Sequence, residues 1–406
     1  MPVMTLPQQA PDYGEFYVPR FEVRAAGAAL AESVVRDITQ VTYHDNIKEI
    51  DSFEITVGNW DPYERKFKYV GSEDDRSLTA ATPQAQVYKL FEPCARDFTL
   101  YMGYGNKLQR MTTGDVTTMQ PTFPSGGPST LSVRALNVMH RLRDKQHSQV
   151  WKNSKESHIA KSIKTLTDSA TQRKLSVRVS QAALSAEQTI DYVAQENQYD
   201  IDFLFMRARL AGYVVFVGKE STKSGTQEYL YFGPSDKKHT ALRDVTYELE
   251  YGISLNDFNP TLSVANQVKS VEVRCRDRQA SKIISAKVTI DDPSIKVNAD
   301  LMPLLSQPNF PVRAEVVVNE PQPNHERARR RALAILSDRL KDMVTATGSC
   351  VGLPDLRAGQ YVRIKGVGAR FSGDYFVTET THTINDQGYT TKFTARREQK
   401  LQGSMT

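Results

Sequence analysis

The chain has 406 residues, 39% of them apolar and 24% charged, with a formal net charge of +5. That is the balance of an ordinary soluble globular chain, which excludes a disordered one, and the length suggests two or three domains with real cores. The mild basicity permits anionic neighbours without demanding nucleic acid. Three cysteines, Cys94, Cys275 and Cys350, lie far apart and form no CxxC pair. Neither a disulfide framework nor a zinc site is expected. The first residues lack a basic stretch followed by an apolar run, so a chain made in the cytoplasm without a signal peptide is expected. No apolar run approaches a membrane span.

Residues 1–13 are rich in Pro and Gln and read as lacking regular structure. From there to about 136 the texture is β. EFYVPRFEVRA, VVRDITQVTYHD, SFEITVGNWD, DFTLYMGYG, DVTTMQPTF and STLSVRAL are short β-branched and aromatic runs, punctuated by Gly, Asn, Asp and Pro. Such spacing suggests a small barrel or sandwich. The texture then turns helical. In WKNSKESHIAKSIKTL, Ile159, Ile163 and Leu166 share a helical face, with Asn153 as cap and Glu156 three residues on. A second helix is expected from about Ser185, carrying Ile190 and Val193. A third, YDIDFLFMRARLAGY, presents Phe203, Met206 and Leu210 and stops at Gly212, a left-handed cap. YVVFVG and EYLYFG follow as strands.

From about 257 the β texture returns in NPTLSVANQVKSVEVRCRD, KIISAKVTID and VRAEVVVNE. One helix interrupts it, PNHERARRRALAILSDRLKDM. Pro323 lies near its start, and Ala332, Ile335, Leu336 and Leu340 form its apolar face. GQYVRIKGVG and GDYFVTETTHTINDQGYTTKFTARR close the chain as strands.

A long-range echo stands out. YMGYGNKLQRMTTGDV and YVRIKGVGARFSGDY each run from an aromatic strand through a Gly-x-Gly turn to a Gly-Asp corner. The corners are Gly114-Asp115 and Gly373-Asp374. The echo suggests a duplicated unit; the alternative is two unrelated hairpins sharing common turn chemistry.

Candidate chemistry fails on geometry. Glu379 and His382 have the Glu-x-x-His spacing of a helical metal site, but Thr and Val make this a strand, where i and i+3 face opposite sides. Asp374 and His382 share a face but lie roughly 26 Å apart at about 3.3 Å per residue. A hairpin turning at 385–388 sorts the residues better. Phe376, His382, Ile384, Tyr389, Thr391, Phe393 and Ala395 fall on one face. Glu379, Thr381, Lys392, Thr394 and Arg396 fall on the other. His382 then reads as a hydrogen-bonded core or inter-subunit histidine. The Gly212 to Lys219 stretch is a strand and not a phosphate loop, and no dinucleotide fingerprint or nucleophile elbow is present. His44-Asp45 reads as an isolated turn pair. No catalytic residue, cofactor site or metal site is therefore assigned. Arg327, Arg329, Arg330 and Arg331 cluster within one helix, as a solvated face or as a basic lumen or docking surface.

The stretches GLPDLRAGQYVRIKGVGARFSGDYFVTETTHTI, GYGNKLQRMTTGDVTTMQPTFPSGGPSTLSVRALNVMHRLR and ENQYDIDFLFMRARLAGYVVFV together resemble the phage late control gene D proteins. These are baseplate hubs of contractile tails, akin to the T-even-type hub and to the amino-terminal part of VgrG spikes. Asn197, Asp200, Phe203, Leu204 and Gly212 occupy the family's Asn-x-x-Asp-x-x-Phe-Leu helix and its Gly-aromatic step. The resemblance implies an α+β, mainly β fold: two similar antiparallel β-barrel domains with an α+β insertion between them. Its division would be residues 1–13 flexible, 14–136 the first tube-type barrel, 137–256 the insertion, 257–399 the second barrel with one helix, and 400–406 a tail. It also implies a homotrimer assembled in the baseplate of a virion or tail-like particle. Three chains with two barrels each would form a six-barrel ring between the hexameric inner tube protein and a trimeric spike. Further partners would be baseplate wedge components and a tape measure or cargo, with no membrane insertion. VgrG-type chains continue into further domains; this one stops soon after the hairpin, so a separate VgrG-like or gpV-like spike is expected. The resemblance extends to hubs of extracellular injection particles. A tail-associated cell-wall hydrolase is the alternative from another class, and a DNA-binding particle protein is a third.

Overall fold

The computed structural model describes residues 3–5, 18–70, 87–163, 176–222, 225–235, 246–276, 282–295, 298–318, 320, 322 and 324–400. In chain order the first strands are β1 (Val3–Thr5), β2 (Pro19–Ala25), β3 (Ala28–Ala29), β4 (Ile38–Asn46), β5 (Ser52–Gly58), β6 (Trp60–Asp61) and β7 (Lys66–Phe67). Then come β8 (Asp97–Tyr104), β9 (Lys107–Thr122) and β10 (Thr130–Asn137). A middle segment holds β11 (Gln146–Ser154), β12 (Ser176–Val179), β13 (Ile190–Tyr199), β14 (Val214–Thr222) and β15 (Gly225–Gly233). The last part has β16 (Thr246–Glu250), β17 (Leu255–Leu262), β18 (Ser270–Arg276), β19 (Ile283–Thr289) and β20 (Ala314–Val317). It ends with β21 (Val344–Val351), β22 (Tyr361–Lys365), β23 (Gly373–Asn385) and β24 (Gly388–Lys400). The helices used below are α1 (Glu32–Asp37), α2 (Glu156–Ser162), α3 (Gln181–Ala186), α4 (Asp200–Ala211) and α5 (His325–Lys341).

The fold is mainly β, with large antiparallel sheets, as expected. Its centre is one continuous sheet containing two runs of six strands. The first run is ordered β4-β5-β10-β9-β8-β2 and the second β17-β21-β24-β23-β22-β16. Ranked by chain position, both read second, third, sixth, fifth, fourth, first. The echo seen in the sequence therefore extends to a repeated strand order. The runs differ at one edge: β2 meets β8 antiparallel, whereas β16 meets β22 parallel.

The Gly-Asp pairs are not placed alike within this repeat. Gly114 lies inside β9, opposite Phe98 at one end of β8, and a Cβ there would come 2.2 Å from the Leu136 carbonyl oxygen. Gly373 instead begins β23, opposite Ile364. What they share is the strand beyond: Gly114 faces Asn137 at the end of β10, and Gly373 faces Lys400 at the end of β24. The amino terminus also differs from expectation, because Val3–Thr5 pairs parallel with β16. An open sheet edge accepts even three residues of extended chain.

β23 joins the two runs. Along one side it pairs with β24. Along the other, Gly373–Phe376 pairs with β22 of its own run, and Glu379–Ile384 pairs with β4 of the first run. The tip of the β23–β24 hairpin sends Ile384 and Tyr389 into the first run's core, beside Phe53, Leu100 and Met102. The hairpin turns between Asn385 and Gly388, as the sequence implied.

The middle segment forms a two-stranded sheet, β11-β13, and a three-stranded one, β12-β15-β14, around α2 and α4. α4 ends at Gly212 with φ 71°, the expected left-handed cap. Two helix readings change. Asn153 does not cap α2: it lies in β11 with φ 49°, and Lys155 holds the cap position. The helix expected from Ser185 lies earlier, as α3, capped by the Ser180 hydroxyl. Ile190 and Val193 lie in β13, which pairs with β11, and both bury in the middle core; two apolar positions in so short a run do not distinguish a strand from a helix. Leu166, Pro323 and residues 401–406 lie outside the described residues.

Between β17 and β21 the chain makes an excursion. Strands β19-β18-β20 form a small sheet, and α5 lays Ala328, Ala332, Leu336 and Leu340 against the second core. No helix among the described residues is long and apolar enough to cross a membrane.

Candidate functional site

The densest polar chemistry lies at the seam between the two runs. Tyr43 and Asp45 are two apart on β4 and point to the same side, as do Thr380 and His382 on β23. The segment after β21 carries Arg357 into this space. Its guanidinium donates to the Asp45 carboxylate, to the Tyr43 hydroxyl and, at 3.2 Å, to the Met111 carbonyl. It also lies 4.4 Å from the centre of the Tyr43 ring. Asp45 takes further hydrogen bonds from the Ala358 amide at 3.2 Å and from the Thr380 hydroxyl.

His382 continues the network. It is fully buried, with Nδ1 at 3.1 Å from both the Tyr389 and Thr391 hydroxyls and Nε2 at 3.0 Å from the Leu356 carbonyl. The core-histidine reading is correct, since both ring nitrogens are occupied by neutral partners. Asp51 closes the other end. It accepts from Asn137 Nδ2 at 2.8 Å and from the Asn46 amide at 3.2 Å.

The electrostatics separate the two carboxyls. Burial works against a charged Asp45, but the Arg357 guanidinium outweighs it and holds the Asp45 pKa below the usual carboxylate range. Asp51 is pushed up to about 8, by burial first and by the Asp45 charge second. A carboxyl raised in the folded state stabilises below its unfolded pKa of about 4, and that stability is lost as pH rises through about 8. Replacing Asp51 with asparagine removes this dependence. Between pH 5 and pH 8 the D51N variant should therefore gain on the parent by on the order of 1–3 kcal/mol in urea unfolding. A difference that stays flat with pH would show that Asp51 is ionised in the fold.

A second buried knot lies at the far end of β24. Glu398 accepts from the Tyr361 hydroxyl at 2.6 Å, the Ser235 hydroxyl at 3.0 Å and Arg396 Nε at 3.2 Å. Arg397 is wholly buried and donates to both carboxylate oxygens of Asp300 and to the Arg370 carbonyl at 2.7 Å. Next to this knot, Ile47, Phe216, Tyr231, Ala358, Tyr361 and Phe376 form an apolar cluster where both runs and the middle segment meet. Burying charge at this density is costly unless every group is paired, and here the named groups are.

The arginine cluster has an inward role that the sequence did not reveal. Arg331 forms two bonds to Glu320, at 2.6 and 2.9 Å, and donates to the Arg209 and Leu210 carbonyls. Arg329 meets Asp292 at 2.7 Å, Arg330 meets Glu326 at 3.3 Å and Arg327 lies 3.8 Å from Glu156. Each charge is thus matched by a carboxylate of the same chain. Two of the four, Arg327 and Arg331, tie α5 to the middle segment. His44 lies in a strand, not a turn, with Nδ1 3.0 Å from the Thr381 hydroxyl. Asp374 pairs with Arg363 at 2.9 Å. Arg357 went unnoticed in the sequence because Asp45 and Tyr43, its side-chain partners, lie more than 300 positions away.

A family model described as the Alg8 N-terminal domain matches residues 17–386. No curated protein sequence matches the chain. Among solved structures, a 43 kDa tail protein of prophage MuSo2 from Shewanella oneidensis aligns with TM-score 0.62 at 14% identity, over 93% of this chain and 98% of that one. A tail protein from Neisseria meningitidis gives TM-score 0.62 at 13% identity, over 94% and 97%. An Escherichia coli protein described as a type VI secretion component similar to T4 bacteriophage tail proteins gives 0.52 at 12%, over 94% and 79%. At these identities the likeness establishes a common fold.

Proposed function

Because the chain belongs to the Alg8 N-terminal domain family and has the fold of phage tail proteins, we infer that it is a baseplate hub. In this reading it is a non-enzymatic adaptor of a contractile tail or tail-like injection system. Three copies surround a lumen and join the hexameric inner tube to the trimeric spike. The observation that carries the reading is the repeated order of six strands within one chain. Each run is read as one tube-type barrel, so three chains supply six similar units to a sixfold partner while keeping a threefold face for the spike. The seam supports the same reading. Its charges are paired, buried and spent on fixing one run against the other, as a rigid adaptor requires.

Native mass spectrometry of the chain mixed with its spike tests the stoichiometry. The expected species contains three copies of the 45.7 kDa chain. A stable monomer under all conditions, spike included, overturns the adaptor. Incubation with purified peptidoglycan tests the non-enzymatic part, and clear lysis by the chain alone would reverse it.

A further inference from the structure

An open groove of about 610 Å³ lies between the first run and the middle segment. One wall is α4, which contributes Asp202, Phe205, Met206 and Arg209. These residues recur at i, i+3, i+4 and i+7 and so form one helical face. The opposite wall comes from the loop after β4 and from β9 and β10, with Lys48, Glu49, Ile50, Thr117, Arg134 and Leu136.

Two properties define what this groove can hold. Its floor is apolar: Ile50, Leu136, Phe205 and Met206 are all half-buried and remain open to solvent on one side. α4 buries Ile201, Phe203, Leu204 and Ala208 in the middle core, and Phe205 and Met206, which pack against the edge of that core, keep part of their surface open to the groove. Its rim is positive. Arg143 is cancelled by Asp202 at 2.8 Å. Lys48, Arg134 and Arg209 form no ion pair among the described residues; Arg134 donates to the Ser52 hydroxyl at 3.2 Å and lies opposite Glu54 in the β10–β5 ladder. Against these three cations stands Glu49, also without an ion pair among those residues. This contrasts with the α5 arginines, each of which has a carboxylate.

We propose that this groove is a docking site for an acidic amphipathic segment of a partner protein, with apolar side chains on the Phe205–Met206 floor and carboxylates at Lys48, Arg134 and Arg209. The charge imbalance selects an anionic partner, and desolvated contacts on a Met- and Phe-bearing floor supply specificity. Nucleic acid fits less well, because the groove offers one ring where stacking needs several and Glu49 repels a phosphate backbone. The proposal is independent of the hub reading.

Fluorescence anisotropy with labelled short peptides tests it on the full chain. The probes are a Glu/Leu peptide with helical spacing, a Glu/Ser peptide, a Lys/Leu peptide and an oligothymidylate. The Glu/Leu peptide should bind at least ~10-fold tighter than the other three. The exposed double substitution Lys48→Glu with Arg209→Glu should weaken it at least ~10-fold while the thermal midpoint is retained. Absent Glu/Leu binding, equal binding of Glu/Ser or oligothymidylate, or unchanged affinity in the double variant each overturns the proposal. Self-association that the double variant abolishes would assign the groove to a second copy and overturn it equally.

Discussion

Replacing Arg357 with methionine is expected to destabilise the protein by about 3–5 kcal/mol, among the largest losses available to a single substitution. The guanidinium is buried against Asp45, Tyr43 and the Met111 carbonyl. Methionine fills similar volume, so the loss comes from charge and not from a cavity. Asp45 would remain buried with the Ala358 amide and the Thr380 hydroxyl as its donors. Its pKa, now held down by Arg357, should rise, and Asp51 should shift with it. Urea unfolding of R357M checks the size. The paired substitution Arg357→Met with Asp45→Leu should recover a substantial part of the loss, because an apolar pair carries no desolvation penalty. A single-variant loss below about 1 kcal/mol would mean that water reaches the seam.

The second large effect is expected at Phe393. Its ring is 2% exposed and lies over Gly348 of β21, where an added Cβ would come within 2.7 Å of Cζ. Phe393→Asp removes that ring from the second core and leaves an unpaired carboxylate, at a cost on the order of 4–5 kcal/mol or more. Lys392, the next residue, points outward, and Lys392→Ala should change stability by less than about 0.5 kcal/mol. Soluble yield and thermal midpoint measured side by side separate the two. Comparable losses would mean that the hairpin faces are reversed.

That hairpin shows how far sequence reasoning reaches. Alternation correctly placed His382, Ile384, Tyr389, Thr391, Phe393 and Ala395 inside. Phe376 is buried as read, but it and Arg396 share the opposite face from Phe393. The register shifts between Val377 and Glu379, so Phe376 pairs with Arg396 and both face the apolar cluster near Tyr361. One extra residue inverts every face before it, and nothing in a run of Thr and Val marks where it sits. β21 was missed for a related reason. Its Thr, Ala, Gly, Ser and Cys residues look like a loop, yet Gly348 at its centre has no side chain because Phe258 and Phe393 lie over it. The fold class was legible through texture, echo and family resemblance. The seam was not, because Asp45, Arg357 and His382 become neighbours only when β4 and β23 pair. The groove's α4 face was partly visible, since Met206 was marked as apolar, but its other wall comes from distant loops and strands.

β23 has a mechanical consequence. Domains linked by a flexible tether can be drawn apart with little resistance until the tether is taut. Here one strand runs through both halves, held by β24 on one side and by β22 and then β4 on the other. Its hydrogen bonds lie across the strand direction. A pull along β23 therefore loads many of them together in shear and does not unzip them one at a time. A chain built this way behaves under load as a single stiff part.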